Sequence, residues 1–155
     1  MTVDSPSSSI QLTRFRIGDS AFAFDIMKVR EVLNPVRVTA VPGAPQFVEG
    51  LLELRGEYLP VVDLRLRLGG GQEGDSKIVI AEARGRRVGF VVDQVFDVFR
   101  VLESEIRPLD ELAQSAAFSG VLRTEAGPVM ILDPDGLLSE MEVSALDALP
   151  APPPS

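Results

Sequence analysis

The sequence predicts an all-β protein with few short helices, built as two similar lobes packed into one domain. Three observations carry this. Apolar runs are strand-sized and separated by turn residues. Helical periodicity is sparse. The chain also repeats itself: moved by 66 positions, residues 22–33 fall on 88–99, and moved by 70, residues 50–52 fall on 120–122. Short strands at this spacing argue a sandwich or barrel rather than a parallel sheet.

The elements follow in order. Residues 12–17 and 21–24 flank Gly18-Asp19, and two apolar-rich runs around such a pair signal a hairpin. Residues 25–29 fit one or two helical turns. A second hairpin joins 51–54 to 59–64 through Arg55-Gly56-Glu57, and 63–68 is a short helix candidate. A third joins 78–80 to 88–92 through Arg84-Gly85-Arg86. Residues 108–114 suggest another helix, because proline suits a first turn. The fourth hairpin joins Val121 and Leu122 to 129–132 through Ala126-Gly127. Residues 139–149, with Met141, Leu146 and Leu149, suggest a final helix.

In the repeat, Phe24 meets Phe90, Ile26 meets Val92, Val29 meets Val95, Glu31 meets Asp97 and Val32 meets Val98. Val61-Val62-Asp63 meets Ile131-Leu132-Asp133. Any two β-rich stretches look somewhat alike, but two separate blocks agreeing at nearly one offset favour duplication. The lobes expected are 10–68 and 76–138, each of roughly five short strands. Units of about 60 residues are marginal alone. They should therefore bury apolar surface against each other, with a groove at the seam. Residues 1–9 read as a flexible lead and 150–155 as a proline-rich tail, leaving 10–149 as the folded unit.

Composition narrows the chemistry. The 155 residues are 45% apolar and 25% charged, as in an ordinary single domain. A net charge of -8 makes nucleic acid a poor partner. With no cysteine and no histidine, disulfides, thiol nucleophiles, the usual zinc sites and histidine-based triads are excluded. The start has no basic, apolar signal pattern, and no apolar run is long enough to cross a bilayer. A cytoplasmic protein without membrane insertion is expected. Residues 69–76 have phosphate-loop glycines, yet Asp75 occupies the lysine position, so they read as a connector. Asp133-Pro134-Asp135-Gly136 lacks the further ligands of a calcium loop and reads as a turn. No nucleophile–base pair is visible, and no catalytic residue, cofactor or metal is expected. Glu31 and Arg55 remain as charges beside structural turns. If Val29 and Val32 point inward, Glu31 faces outward; the plain alternative for each charge is a solvated side chain.

Those stretches carry a family likeness. Phe22-Ala23-Phe24-Asp25-Ile26-Met27-Lys28-Val29-Arg30-Glu31-Val32, then Val41-Pro42-Gly43-Ala44-Pro45-Gln46-Phe47-Val48-Glu49-Gly50, then Leu54-Arg55-Gly56 come in this order. Leu59-Pro60-Val61-Val62-Asp63-Leu64-Arg65, Val88-Gly89-Phe90-Val91-Val92-Asp93 and Ile106-Arg107-Pro108 follow. By order and spacing the chain resembles the CheW family of bacterial chemotaxis coupling proteins across 13–140. One departure is Glu53, where the family commonly has Asn.

The resemblance implies two five-stranded, SH3-like β-barrel lobes and a non-enzymatic adaptor. The implied partners are the cytoplasmic tip of a chemoreceptor and the regulatory domain of a CheA-type histidine kinase, in membrane-associated or cytoplasmic receptor arrays. Carried over by position, Val29, Glu31, Gly50, Arg55 and Ile78 would line or support the receptor site. Arg107, Glu111 and Leu112 would lie on a kinase-facing end, with Leu112 presented outward; the alternative leaves Leu112 in the core. Two other classes stay open: a CheW-like scaffold in a motility or polarity system without kinase control, and a small enzyme.

Overall fold

A computed structural model describes residues 8–35, 38–44, 48–68, 76–108 and 116–140, except the side chains of Leu66, Arg67, Ser139 and Glu140. The first part of the chain forms β1 (Ser9–Ile17), β2 (Ser20–Asp25), a 3-10 turn (Ile26–Lys28), β3 (Val29–Leu33), β4 (Val48–Leu54), β5 (Glu57–Asp63) and helix α1 (Leu64–Leu68). The second forms β6 (Lys77–Ala83), β7 (Arg86–Val92), β8 (Gln94–Leu102), a 3-10 turn (Glu103–Glu105), β9 (Ile106–Arg107), β10 (Phe118–Thr124), β11 (Gly127–Leu132) and helix α2 (Pro134–Glu140). The expected all-β class holds, and all four hairpins form. At two of their turns, Arg55-Gly56 and Arg84-Gly85, both residues have positive φ. That twist matches the right-handed twist of the flanking strands.

The repeat is present element by element, β1 to α1 against β6 to α2. Each helix is capped the same way: Asp63 Oδ1 accepts the Arg65 N–H at 2.9 Å, and Asp133 Oδ1 accepts the Asp135 N–H at 3.1 Å. Asp133-Pro134-Asp135-Gly136 is therefore the start of a helix, not an isolated turn. Among the described residues the last helix is α2, which starts at Pro134 because proline fits its first turn, while the expected helix over 139–149 lies outside the described residues beyond residue 140. Residues 141–155 lie outside the described residues, as do 1–7 and most of the expected helix 108–114.

The lobes, however, are not the repeats. One sheet runs β8-β1-β2-β11-β10-β9 and the other β3-β6-β7-β5-β4. The second sheet takes a continuous stretch, 29–92, while the first takes 9–25 and 94–132. Boundaries at 10–68 and 76–138 are thus corrected: the chain crosses between sheets at Ile26–Lys28 and at Asp93. The physical reason is an exchange of hairpins. β1-β2 leaves its own repeat to pair β2 parallel to β11, and β6-β7 does the same with β7 parallel to β5.

Exchange explains the unbroken apolar runs. Strands β2, β6 and β7 are covered on both faces over most of their length, so alternation with polar residues is lost there, whereas β1 keeps it, with half-buried Arg14 and Arg16 beside buried Phe15 and Ile17. One face of β6 and β7 adds Ile78, Ile80 and Val91 to the second sheet's own core. Leu12 and Ala23 join Leu122, Val129 and Ile131 within the first. The remaining faces meet between the sheets, where Phe15, Phe22, Phe24 and Phe90 pack with Val79, Val88, Leu137 and Leu138. The largest core is thus the junction of the lobes.

Each sheet also rolls towards closure. The first begins at β8 and ends at β9, and only the 3-10 turn Glu103–Glu105 separates these two in sequence. In the second, the chain leaving β3 returns to bridge β4, with Thr39 and Leu51 exchanging two 2.8 Å backbone hydrogen bonds. Both closures need a glycine. A Cβ on Gly50 would lie 2.1 Å from the Thr39 carbonyl oxygen, and one on Gly120 would lie 2.9 Å from that of Arg107.

Candidate functional site

The clearest charged constellation lies on the second sheet. Glu31 is on β3, and Arg55 opens the β4–β5 turn. Although β3 and β4 are the two ends of this sheet, Arg55 Nη2 donates to Glu31 Oε1, and Nη1 lies 3.4 Å from Oε2. Such a fork fixes orientation as well as distance. The hydrogen bond from Arg55 holds the Glu31 carboxyl below its ordinary value of 4.5 and raises the Arg55 guanidinium in turn. The pair is therefore intact above pH 4.5 and is lost only as pH falls through the lowered value.

Two further charges continue the pattern. Arg87 Nη1 lies 3.3 Å from Glu57 Oε1, while the charge of Arg87 also acts on Glu31 and that of Glu57 on Arg55. Beside them Arg30 Nη2 donates to Glu82 Oε1 at 2.6 Å. Exposed ion pairs contribute little to stability. A rim of alternating charge with oriented side chains is suited instead to matching the charges of a partner.

Placement sorts the residues that the sequence suggested. Glu31 and Arg55 come together directly. Val29 is half-buried against the junction core. Ile78 is buried in the second sheet's core and lines a cleft of about 210 Å³ with Pro35, Val38, Glu49 and Arg65. Gly50 is buried beneath Thr39. Gly50 and Ile78 can shape the surface from behind but do not form its exposed face. Val32, expected inward, is 41% exposed: side chains alternate along β3, so Val29, Glu31 and Leu33 share the half-buried face and Val32 falls on the other. Arg107 is exposed on β9, on the other sheet. A cavity of about 410 Å³ adjoins it, lined by Ile10, Leu12, Lys28, Glu103, Ile106 and Pro108 among others. Glu111 and Leu112 lie outside the described residues.

Sequence reasoning missed several exposed apolar side chains: Met27 at 74%, Val98 at 47%, Leu102 and Tyr58. Val98 is the repeat counterpart of Val32, and both are exposed, but the inward expectation for Val32 hid this. Among the described residues, no group of three or more His, Cys, Asp or Glu is placed to hold a metal ion. No helix among them is long and apolar enough to cross a membrane.

Fold and surface together define a binding module: two β-sheet lobes on one shared core, with a rim of paired charges on the second sheet. The family model of the CheW-like domain matches residues 11–142, and the chain belongs to that family. A probable chemotaxis protein CheW of Rhizobium etli is 33% identical over 141 residues, covering 87% of this chain and 91% of that protein. The crystal structure of the scaffolding protein TtCheW from Thermoanaerobacter tengcongensis superposes with a TM-score of 0.78 at 32% identity, covering 84% of this chain and 93% of that one. Protein PilI of Pseudomonas aeruginosa is 31% identical over 130 residues, covering 79% of this chain and 72% of that protein.

Proposed function

We propose that this chain is a non-enzymatic, cytoplasmic adaptor that couples the tip of a chemoreceptor to the regulatory domain of a CheA-type histidine kinase. The observation that carries the reading is the separation of two candidate contact sets. The Glu31–Arg55 fork belongs to the second sheet, and Arg107 belongs to the first. An adaptor must hold two partners at once, and surfaces on different lobes allow it. Coupling then follows from linkage, because a partner that favours one arrangement of the lobes changes affinity for the other. The decisive experiment reconstitutes the kinase and receptor with and without this protein. Receptor control of kinase activity should appear only when it is present.

Charge reversal tests the receptor face. Glu31→Lys or Arg55→Glu places like charges across the fork, and receptor affinity should fall roughly ten- to hundred-fold while the fold survives. The double exchange Glu31→Arg with Arg55→Glu rebuilds the fork with opposite polarity. If the partner reads the individual charges, titration calorimetry should show the double exchange still impaired. Normal binding by both single variants would remove this face from the proposal.

The kinase face is tested by Arg107→Asp with Leu112→Ser. Pull-down of the kinase regulatory domain should weaken and array formation should fail, while receptor binding persists. Equal loss of both partners would place the interface on another surface. A second reading, a scaffold without kinase control, is favoured by the likeness to Protein PilI, a relative not named for chemotaxis. Reconstitution separates the two, since such a scaffold would bind without altering kinase activity.

A further inference from the structure

The two crossings between sheets are repeat counterparts, yet they are built differently. The first, Ile26–Lys28, is a three-residue turn with Met27 in solvent. The second is a single residue, Asp93, between the last residue of β7 and the first of β8. It is 3% exposed. Burying a carboxylate is costly unless it is paired, and here its contacts reach three elements. Gly18 N–H, in the β1–β2 turn, donates to Asp93 Oδ2 at 2.7 Å. The Asp93 N–H donates to the Arg16 carbonyl at 3.0 Å. Arg65 Nη1, on α1, lies 3.8 Å from Asp93 Oδ1, while the same guanidinium holds Asp63 through Nε at 2.9 Å. Arg16 extends the network through Nη1 to the Gly18 carbonyl at 2.6 Å. One buried side chain thus joins a turn of the first sheet to a helix that continues a strand of the second, at the point where the chain passes between them.

We propose that Asp93 is a positioning residue that sets the relative orientation of the two lobes, and through it the coupling between their partners. This rests on the adaptor reading above. Asp93 makes none of its contacts with Glu31, Arg55 or Arg107, so its removal leaves those side chains chemically intact. What it changes is the angle at which they are presented. A one-residue crossing has only its own φ and ψ to absorb a lobe rotation, and the Gly18 hydrogen bond to Oδ2, the backbone bond to Arg16 and the Arg65 charge facing Oδ1, which accepts no hydrogen bond from the described residues, restrain those angles.

The test uses the full chain. It has no cysteine, so spin labels can be attached at Glu53→Cys and Arg123→Cys, exposed positions on different sheets. Pulsed dipolar spectroscopy should give one narrow distance distribution for the parent and a broadened or shifted one for Asp93→Ala. Asp93→Asn keeps an oxygen acceptor for Gly18 but no charge for Arg65, and should fall between them; it also serves if Asp93→Ala does not fold. In the reconstituted system, Asp93→Ala should bind receptor and kinase separately within about twofold of the parent. It should lose receptor control of the kinase at least tenfold. An unchanged distance distribution in both folded variants overturns the positioning role. A broadened distribution with normal control overturns its link to coupling. Absence of receptor control with the parent protein itself would count against the adaptor reading, and the distance measurement would still decide the positioning role.

Discussion

A chain cut to residues 1–72 should not fold. By composition, 69–76 looks like a clean connector between halves, and a domain boundary there would release a stable lobe. The topology forbids it. That fragment keeps only β1-β2 of the six-stranded sheet, and it removes β6 and β7 from the middle of the other. What remains is two separated hairpins and β3, which has lost its partner β6. Isolated hairpins are at best marginal in water. The fragment would also expose Phe15, Phe22 and Phe24, which the junction core covers. Aggregation or a disordered NMR spectrum is expected, with no cooperative transition on heating. A monomeric fragment with well-dispersed amide signals would contradict the exchanged-hairpin topology.

Phe90→Ala should be the most damaging single truncation considered for the core. Phe90 is fully buried on β7, and its ring centroid lies 5.4 Å from that of Phe24 on β2 of the other sheet. Phe24 in turn lies 4.9 Å from Phe15. Removing the Phe90 ring leaves a cavity between lobes that both sheets would have to collapse to fill. Burial loss and cavity together cost about 3–5 kcal/mol for such a change, against a total of about 5–15 kcal/mol for a typical domain. Phe96→Ala is the control. Phe96 is half-buried, with the Arg14 guanidinium 5.0 Å from its ring centroid, so its loss should cost much less. Urea unfolding should remain one transition in both, since the lobes share their main core. Equal costs at the two positions, or separate transitions for two lobes, would disprove this account of the junction.

Much of the local structure was legible because its causes are local. Gly18-Asp19, Arg55-Gly56 and Arg84-Gly85 marked their turns through the conformations those turns need. Pro134 was visible, but its role was misread. An Asp-Pro-Asp-Gly sequence suits a turn, and only the run Leu137-Leu138 packing into the junction makes it a helix start. Val32 was misplaced for a different reason. Val29 and Val32 are three residues apart, so strand alternation sets them on opposite faces, and the expectation that both point inward did not apply the two-residue period.

The candidate site divides the same way. Glu31 and Arg55 could be singled out as charges next to turns, yet nothing in their spacing of 24 residues says that they meet. They meet because the second sheet rolls until β3 faces the β4–β5 turn. By itself the sequence determined the all-β class, the four hairpins, the internal repeat, the family and the absence of histidine and thiol chemistry. These depend on residue type and on order along the chain. Which hairpin joins which sheet was decided only by tertiary structure. Two copies of one pattern offer β1-β2 and β6-β7 equivalent partners at either place, and the register of a repeat cannot distinguish them. The choice follows from the whole assembly, in which exchange buries both faces of β2, β6 and β7 and makes the junction the largest core among the described residues.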